Sequence, residues 1–184
     1  MSEIASLVKS HLGVHPDFPK KGITFLDIFP LFRDPVKAEM LITAFLNHIF
    51  TNVLPKVSNN KIDVVVGLDA RGFLLGPILA MRLGAAFTPV RKPGKLPGDC
   101  IEATFKKEYG EDKFEMQKAG IQPGQNVLIV DDLIATGGSA YAAGDLVGQL
   151  GGNVVSYLFV VGLPFLHGAD KLNAPAWWIV EAED

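Results

Sequence analysis

Residues 127–139 read VLIVDDLIATGGS: four apolar residues, two adjacent acids, then a small, glycine-rich turn. A short apolar run of this kind is the pattern of a strand buried on both faces. In an open parallel sheet, ligands gather beyond the carboxyl ends of the strands, and Asp131 and Asp132 fall at such an end. The two carboxylates repel each other, and nothing basic within the segment relieves them. Successive strand residues point to opposite faces. If both acids meet one ligand, the backbone is expected to turn at the pair.

Behind the acids, Ala135, Thr136, Gly137, Gly138 and Ser139 carry little bulk, and a helix is expected from about Gly138 to Leu150. A helix N-terminus offers unpaired N–H donors and about half a positive charge, which suits an anion. Carboxylates accept hydrogen bonds from hydroxyls. A phosphate and a vicinal diol on one molecule, such as a ribose 5-phosphate, would match both features. Taken alone, the acids also fit a solvated turn with a helix cap, or the metal-binding acid of a nucleoside triphosphatase. The latter needs Gly-Lys-Ser/Thr in a loop after an earlier strand, whereas Gly94-Lys95 is followed by leucine. No dinucleotide-type glycine fingerprint follows any strand.

Working outward, residues 34–50 (DPVKAEMLITAFLNHIF) have helical apolar spacing, with Asp34 as N-cap and Pro35 just inside. VLPKVSNNK then reads as a loop, residues 62–67 (IDVVVG) as a buried strand, and Gly72–Leu83 as a helix. AAFTPV is a second short strand, followed by the basic, turn-rich RKPGKLPGD. In IEATFKK, Ile101, Ala103 and Phe105 alternate with polar residues, as in a half-exposed strand. NVVSYLFVVG and WWIVEAE are the last strand candidates. Strands alternating with helices predict an α/β fold with a central, mostly parallel sheet flanked by helices. A single domain is expected over 1–184, with an N-terminal extension (1–33) covering part of the site.

With 48% hydrophobic and 20% charged residues, the chain is not of the disordered class. A net charge of −3 gives no sign of a nucleic-acid partner. No apolar run approaches the roughly 18–20 residues that span a bilayer, so no membrane partner is expected. The start, MSEIASLVKSHLG, reads as a short amphipathic helix and lacks the basic and apolar regions of a signal peptide. The single cysteine, Cys100, fits a reducing, cytoplasmic setting. His11, His15, His48 and His167 show no metal or triad spacing, and Trp177 and Trp178 read as packing or interface residues rather than ligand contacts.

VLIVDDLIATGGS resembles the phosphoribosyl-pyrophosphate motif of the type I phosphoribosyltransferases. HPDFPKKGITFLDIFPLFRDP, VVVGLDARGFLLGPILAMRLG, VRKPGKLPG, ATFKKEYG and FEMQKAGIQPG resemble, in order, signatures of that family's adenine-using branch. The tail, with LNAPAWWIV, matches more loosely. The resemblance implies a type I phosphoribosyltransferase-like fold with a flexible hood at 93–115. It implies the reaction adenine + phosphoribosyl pyrophosphate → AMP + pyrophosphate in purine salvage, with Mg2+ held mainly by substrate, in a cytoplasmic homodimer.

By the same resemblance, Asp131 and Asp132 hold the ribose hydroxyls, and Ala135, Thr136, Gly137, Gly138 and Ser139 hold the 5-phosphate. Asp69, Ala70 and Arg71 form a pyrophosphate loop, often with a non-proline cis peptide, and Arg71 is also a catalytic candidate. The transition state should resemble an oxocarbenium ion, and the departing pyrophosphate needs cations around it. Arg91, Lys92 and Lys95 are the second cationic group, open also to a solvated-turn reading or to service in a neighbouring subunit's site. In the hood, Glu108 is the candidate for proton transfer with the purine, or one of several solvated acids beside Glu111 and Asp112, and Tyr109 accompanies it. Hood closure would exclude water from the reacting centre. Phe25 is either a stacking surface for adenine or ordinary core, with Thr24 and Leu26 backbone groups reading the base edge. Two positions depart from the family: Ala70, where serine is frequent, and Leu26, where arginine is common. Both are expected to contribute backbone only. A phosphoribosyltransferase for another base, such as xanthine, and a non-catalytic sensor of phosphoribosyl pyrophosphate remain alternatives.

Overall fold

The structure, a computed structural model, describes residues 3–106 and 111–182. Helix α1 (Glu3–Ser10) has Glu3 in its first turn and Lys9 in its last, matching the helix dipole, and buries Ala5 and Val8. Strands β1 (Gly13–Pro16) and β2 (Thr24–Asp27) form an antiparallel ribbon with His15 opposite Phe25. A short α2 (Phe29–Phe32) leads to α3 (Pro35–His48). There Asp34 caps as expected, Oδ1 accepting from the Val36 N–H at 2.9 Å, with Pro35 in the first turn where no N–H is needed. The helix runs on through a π-helical turn at Ile49–Val53 before the chain enters the sheet.

Next come β3 (Val64–Leu68), α4 (Gly72–Leu83), β4 (Ala86–Val90), the antiparallel pair β5 (Cys100–Lys106) and β6 (Glu111–Gln117), and β7 (Asn126–Ile134). After them lie α5 (Gly138–Gln149), β8 (Asn153–Gly162) and β9 (Ala176–Glu181). The central sheet runs β4-β3-β7-β8-β9, and every pairing in it is parallel. Its strands alternate between two cores, as a pleat requires. Val65, Leu128, Val130, Leu158 and Val160 meet Leu41 and Phe45 of α3 and Leu75 and Leu79 of α4. Val64, Val66, Val127, Ile129, Tyr157 and Phe159 face α5 and the β5–β6 pair, through Ala142, Leu146, Phe105, Phe114 and Met116. Trp177 is a packing residue, its ring stacked on His48 at 3.9 Å and edge-on to Phe45 at 6.0 Å.

Two expectations need correction. Strand β7 does not end, and the backbone does not turn, at the acid pair: the strand continues to Ile134, with Asp131 opposite Phe159 and Leu133 opposite Val161. Pairing with the long, apolar β8 holds it extended. The pleat is nevertheless interrupted, because Val130 and Leu133 pack on the same core. The second concerns residues 93–115, where the sequence predicts a strand over IEATFKK, found as β5, but gives no sign of its partner. Within them β5 and β6 pair in register, Ala103 opposite Phe114 and Thr104 opposite Lys113.

Candidate active site

At the carboxyl end of β7, a cavity of about 300 Å³ is lined by Arg71, Asp131, Asp132, the segment 133–140, Phe105 and Phe159. Both acids therefore reach one cavity. Asp131 Oδ1 accepts the Asp132 N–H at 2.9 Å, and Asp132 Oδ2 pairs with Arg71 Nε at 2.5 Å. Burial pushes the Asp131 carboxyl well above the usual range, and the neighbouring Asp132 charge adds to this. Burial also raises Asp132, partly offset by Arg71. Burial makes both carboxylates costly to keep charged, and hydroxyls reaching them would donate hydrogen bonds that favour the charged form.

The segment behind them ends at Gly137, whose φ of +78° suits a residue without a side chain, and which gives α5 no side-chain cap. The first N–H groups of α5 thus lie beside the cavity without a capping side chain, an arrangement that receives anions. A connection between β8 and β9 closes this loop from below. Gly168 packs so tightly against Ala135 and Gly137 that a Cβ there would overlap the Ala135 carbonyl. Lys171 Nζ donates to the Thr136 carbonyl at 3.0 Å. Sequence reasoning missed both residues, because nothing near them in the chain marks a contact so distant.

The loop between β3 and α4 holds Asp69, Ala70 and Arg71, and its Asp69–Ala70 peptide is cis. Gly72 starts α4 so close to β7 that an added Cβ would lie 2.7 Å from the Val130 carbonyl oxygen. Arg91 Nε pairs with Asp69 Oδ2 at 2.7 Å, and Arg91 Nη1 donates to the Lys95 carbonyl at 3.1 Å. The basic turn is thereby tied to the Asp69 loop. Lys92 Nζ instead lies 3.3 Å from Asp112 on β6, on the exposed side of the turn. Lys95 is exposed too, and its backbone N–H donates to Glu115 at 2.8 Å. Glu115 was not foreseen as part of this region.

On the other flank, the Arg71 guanidinium sits over the Phe25 ring, 5.1 Å from its centroid, and Phe18 meets the same ring edge-on at 5.3 Å. Phe25 thus joins the Arg71 side of the site rather than the main core. Leu26 packs against the core, and Thr24 is exposed. Glu108 and Tyr109 lie outside the described residues. Among the described residues, no group of three or more His, Cys, Asp or Glu side chains is arranged to hold a metal ion. Nor is any described helix long and apolar enough to cross a membrane.

Residues 34–173 match the family model of the phosphoribosyl transferase domain. An adenine phosphoribosyltransferase of Yarrowia lipolytica is 54% identical over 177 residues, covering 96% of this chain and 95% of that protein. Adenine phosphoribosyltransferase 1 of Saccharomyces cerevisiae is 52% identical over 183 residues, covering 100% and 96% respectively. A crystal structure of the Saccharomyces cerevisiae adenine phosphoribosyltransferase, complexed with D-2,5-dideoxy-2,5-imino-altritol 1,6-bisphosphate and adenine, superposes with a TM-score of 0.91 at 52% identity. It covers 97% of this chain and 99% of that one.

Proposed function

Because the chain belongs to the phosphoribosyl transferase family, we propose that it is an adenine phosphoribosyltransferase, making AMP and pyrophosphate from adenine and phosphoribosyl pyrophosphate. The observation that carries this reading is the single cavity lined by both Asp131 and Asp132 and by the start of α5. Asp131 and Asp132 accept hydrogen bonds from the ribose hydroxyls, which favours the charged form that burial disfavours. Ala135, Thr136, Gly137, Gly138 and Ser139 receive the 5-phosphate through N–H groups and the helix dipole.

In the transfer, the bond from the anomeric carbon to pyrophosphate breaks, and a bond from that carbon to a ring nitrogen of adenine forms. Positive charge grows on the ribose while negative charge grows on the leaving group. Asp69, Ala70 and Arg71, with Arg91, Lys92 and Lys95, hold the pyrophosphate. Arg71 stands between ribose and base, through Asp132 on one side and Phe25 on the other. Adenine stacks on Phe25, with Thr24 and Leu26 backbone groups along its edge. Glu108 takes the proton that the purine imidazole ring releases, with Tyr109 next to it in the sequence.

Mg2+ usually sits on one or two carboxylates plus substrate phosphates. The acids at the cavity fit that modest share, with Asp131 and Asp132 the residues in reach. When bound, the ion supplies neutralisation of charge on the diphosphate. The working form we propose is a cytoplasmic homodimer, in keeping with a lone, half-buried Cys100 and with basic residues on an exposed turn. The test is AMP formation from phosphoribosyl pyrophosphate and adenine with Mg2+, with guanine, hypoxanthine and xanthine in parallel. Turnover with adenine alone is expected. Equal turnover of another base would overturn the base assignment, and binding without any turnover would overturn the enzyme.

A further inference from the structure

Glu115 on β6 has no part in the chemistry above, yet this acid is only 5% exposed, between the buried Phe114 and Met116. Its two carboxylate oxygens accept three successive backbone N–H groups: Oε2 from Gly94 at 3.1 Å, and Oε1 from Lys95 and Leu96 at 2.8 Å each. Burial alone would raise this carboxyl, but the three donors and the nearby Arg91 hold it below its usual range. Gly94 has a φ of +77°, so the turn folds its N–H groups inward into a concavity of the kind that binds anions. Here the protein fills that concavity with its own carboxylate. The Glu115 backbone also bridges Arg91 both ways, at 3.1 and 2.7 Å.

We propose that Glu115 is a positioning residue: by filling the N–H concavity of 94–96 it locks the basic turn in the form that sets Arg91 against Asp69. Affinity for the pyrophosphate end of the substrate then depends on a residue that never touches it. This rests on the reading that the basic turn serves pyrophosphate. A residue that merely stabilised the fold would weaken every ligand together or none.

The test compares wild type with Glu115→Gln, which keeps the shape but turns an NH₂ group toward at least one backbone N–H. The expected result is a KM for phosphoribosyl pyrophosphate and a Kd for pyrophosphate raised about tenfold. The KM for adenine and the Kd for AMP should stay within about twofold. If Glu115→Gln does not fold, Glu115→Asp, which keeps the charge but shortens the reach, should give the same split in a weaker form. Equal losses for adenine and pyrophosphate, or no loss for either, would overturn the proposal. Arg91→Ala separates the two ideas. Should it leave pyrophosphate binding unchanged, the role of the basic turn fails and the positioning role with it. Should it weaken pyrophosphate while the Glu115 variants do not, only the positioning role fails.

Discussion

The two ends of β7 each carry a polar cluster, and they are built in opposite ways. At the amino end, the Asn126 N–H donates to Asp63 Oδ2 at 2.9 Å, and Lys61 Nζ pairs with Asp63 Oδ1 at 2.9 Å. The Asn126 amide reaches the Lys61 carbonyl at 3.1 Å and accepts from Asn153 at 3.2 Å. The Asn126 N–H, followed by Lys61, brings the Asp63 carboxyl below its usual range. At the carboxyl end, burial pushes Asp131 and Asp132 the other way. One strand therefore carries a cluster in which the protein favours the carboxylate charge and another in which burial disfavours it. The first serves the fold, and the second serves binding.

The largest test of that contrast is truncation of the ligand-facing acids. Asp131→Ala and Asp132→Ala should each lower kcat/KM by about a hundredfold or more, near 2.7 kcal/mol, in a chain that still folds by circular dichroism. Full activity in both would break the comparison. Asp63→Asn should do the reverse: a loss of about 2 kcal/mol in stability, seen as a lower Tm, with kcat/KM unchanged.

A smaller effect has the opposite sign. Asp131 has a raised carboxyl in the fold, so the folded state binds more protons than the unfolded one above the ordinary value of 3.8. Its cost therefore grows as pH rises from there toward the raised value and persists at neutral pH. Asp131→Asn should lose activity while gaining about 1 kcal/mol, or about 2–4 °C in Tm, at pH 7. A fall in Tm would mean the acid supports the fold after all.

The weakest test sits toward the amino end, where His48 and Asn153 share a cavity of about 460 Å³. Burial, with Lys56 nearby, lowers His48 from 6.5 to about 4, so the fold favours the neutral ring. Stability is then complete above 6.5 and declines as pH falls toward 4. Allowing for solvent around a half-buried ring, this loss is about 1 kcal/mol. His48→Gln should flatten that limb of a Tm-against-pH curve.

Much of this was legible from local chemistry. Asp34 and Pro35 mark the start of α3, the periodicity of 72–83 bounds α4, and the runs at 64–66 and 127–130 announce buried parallel strands. The acid pair and the small residues behind it lie within one short segment, so their shared cavity could be read directly. What escaped depends on partners distant in the chain. Aspartates are poor strand formers, yet β8 holds β7 extended through them. In EDKFEMQ, Phe114 and Met116 are too few among charges to announce a strand, and Glu115 looks like any surface acid until residues 94–96 close over it. Gly168 and Lys171 gain meaning only where their loop meets Ala135 and Thr136.

The contact of Gly168 with the Ala135–Gly137 turn also sets an order of events at the ribosome. Synthesis proceeds from the amino end, and the anion-receiving turn emerges well before the segment that seats it. A nascent chain halted between the two has the acid pair and α5 but no support beneath the turn. Competence to bind phosphoribosyl pyrophosphate should therefore arise late and abruptly, when the β8–β9 connection leaves the exit tunnel, rather than accumulate with chain length.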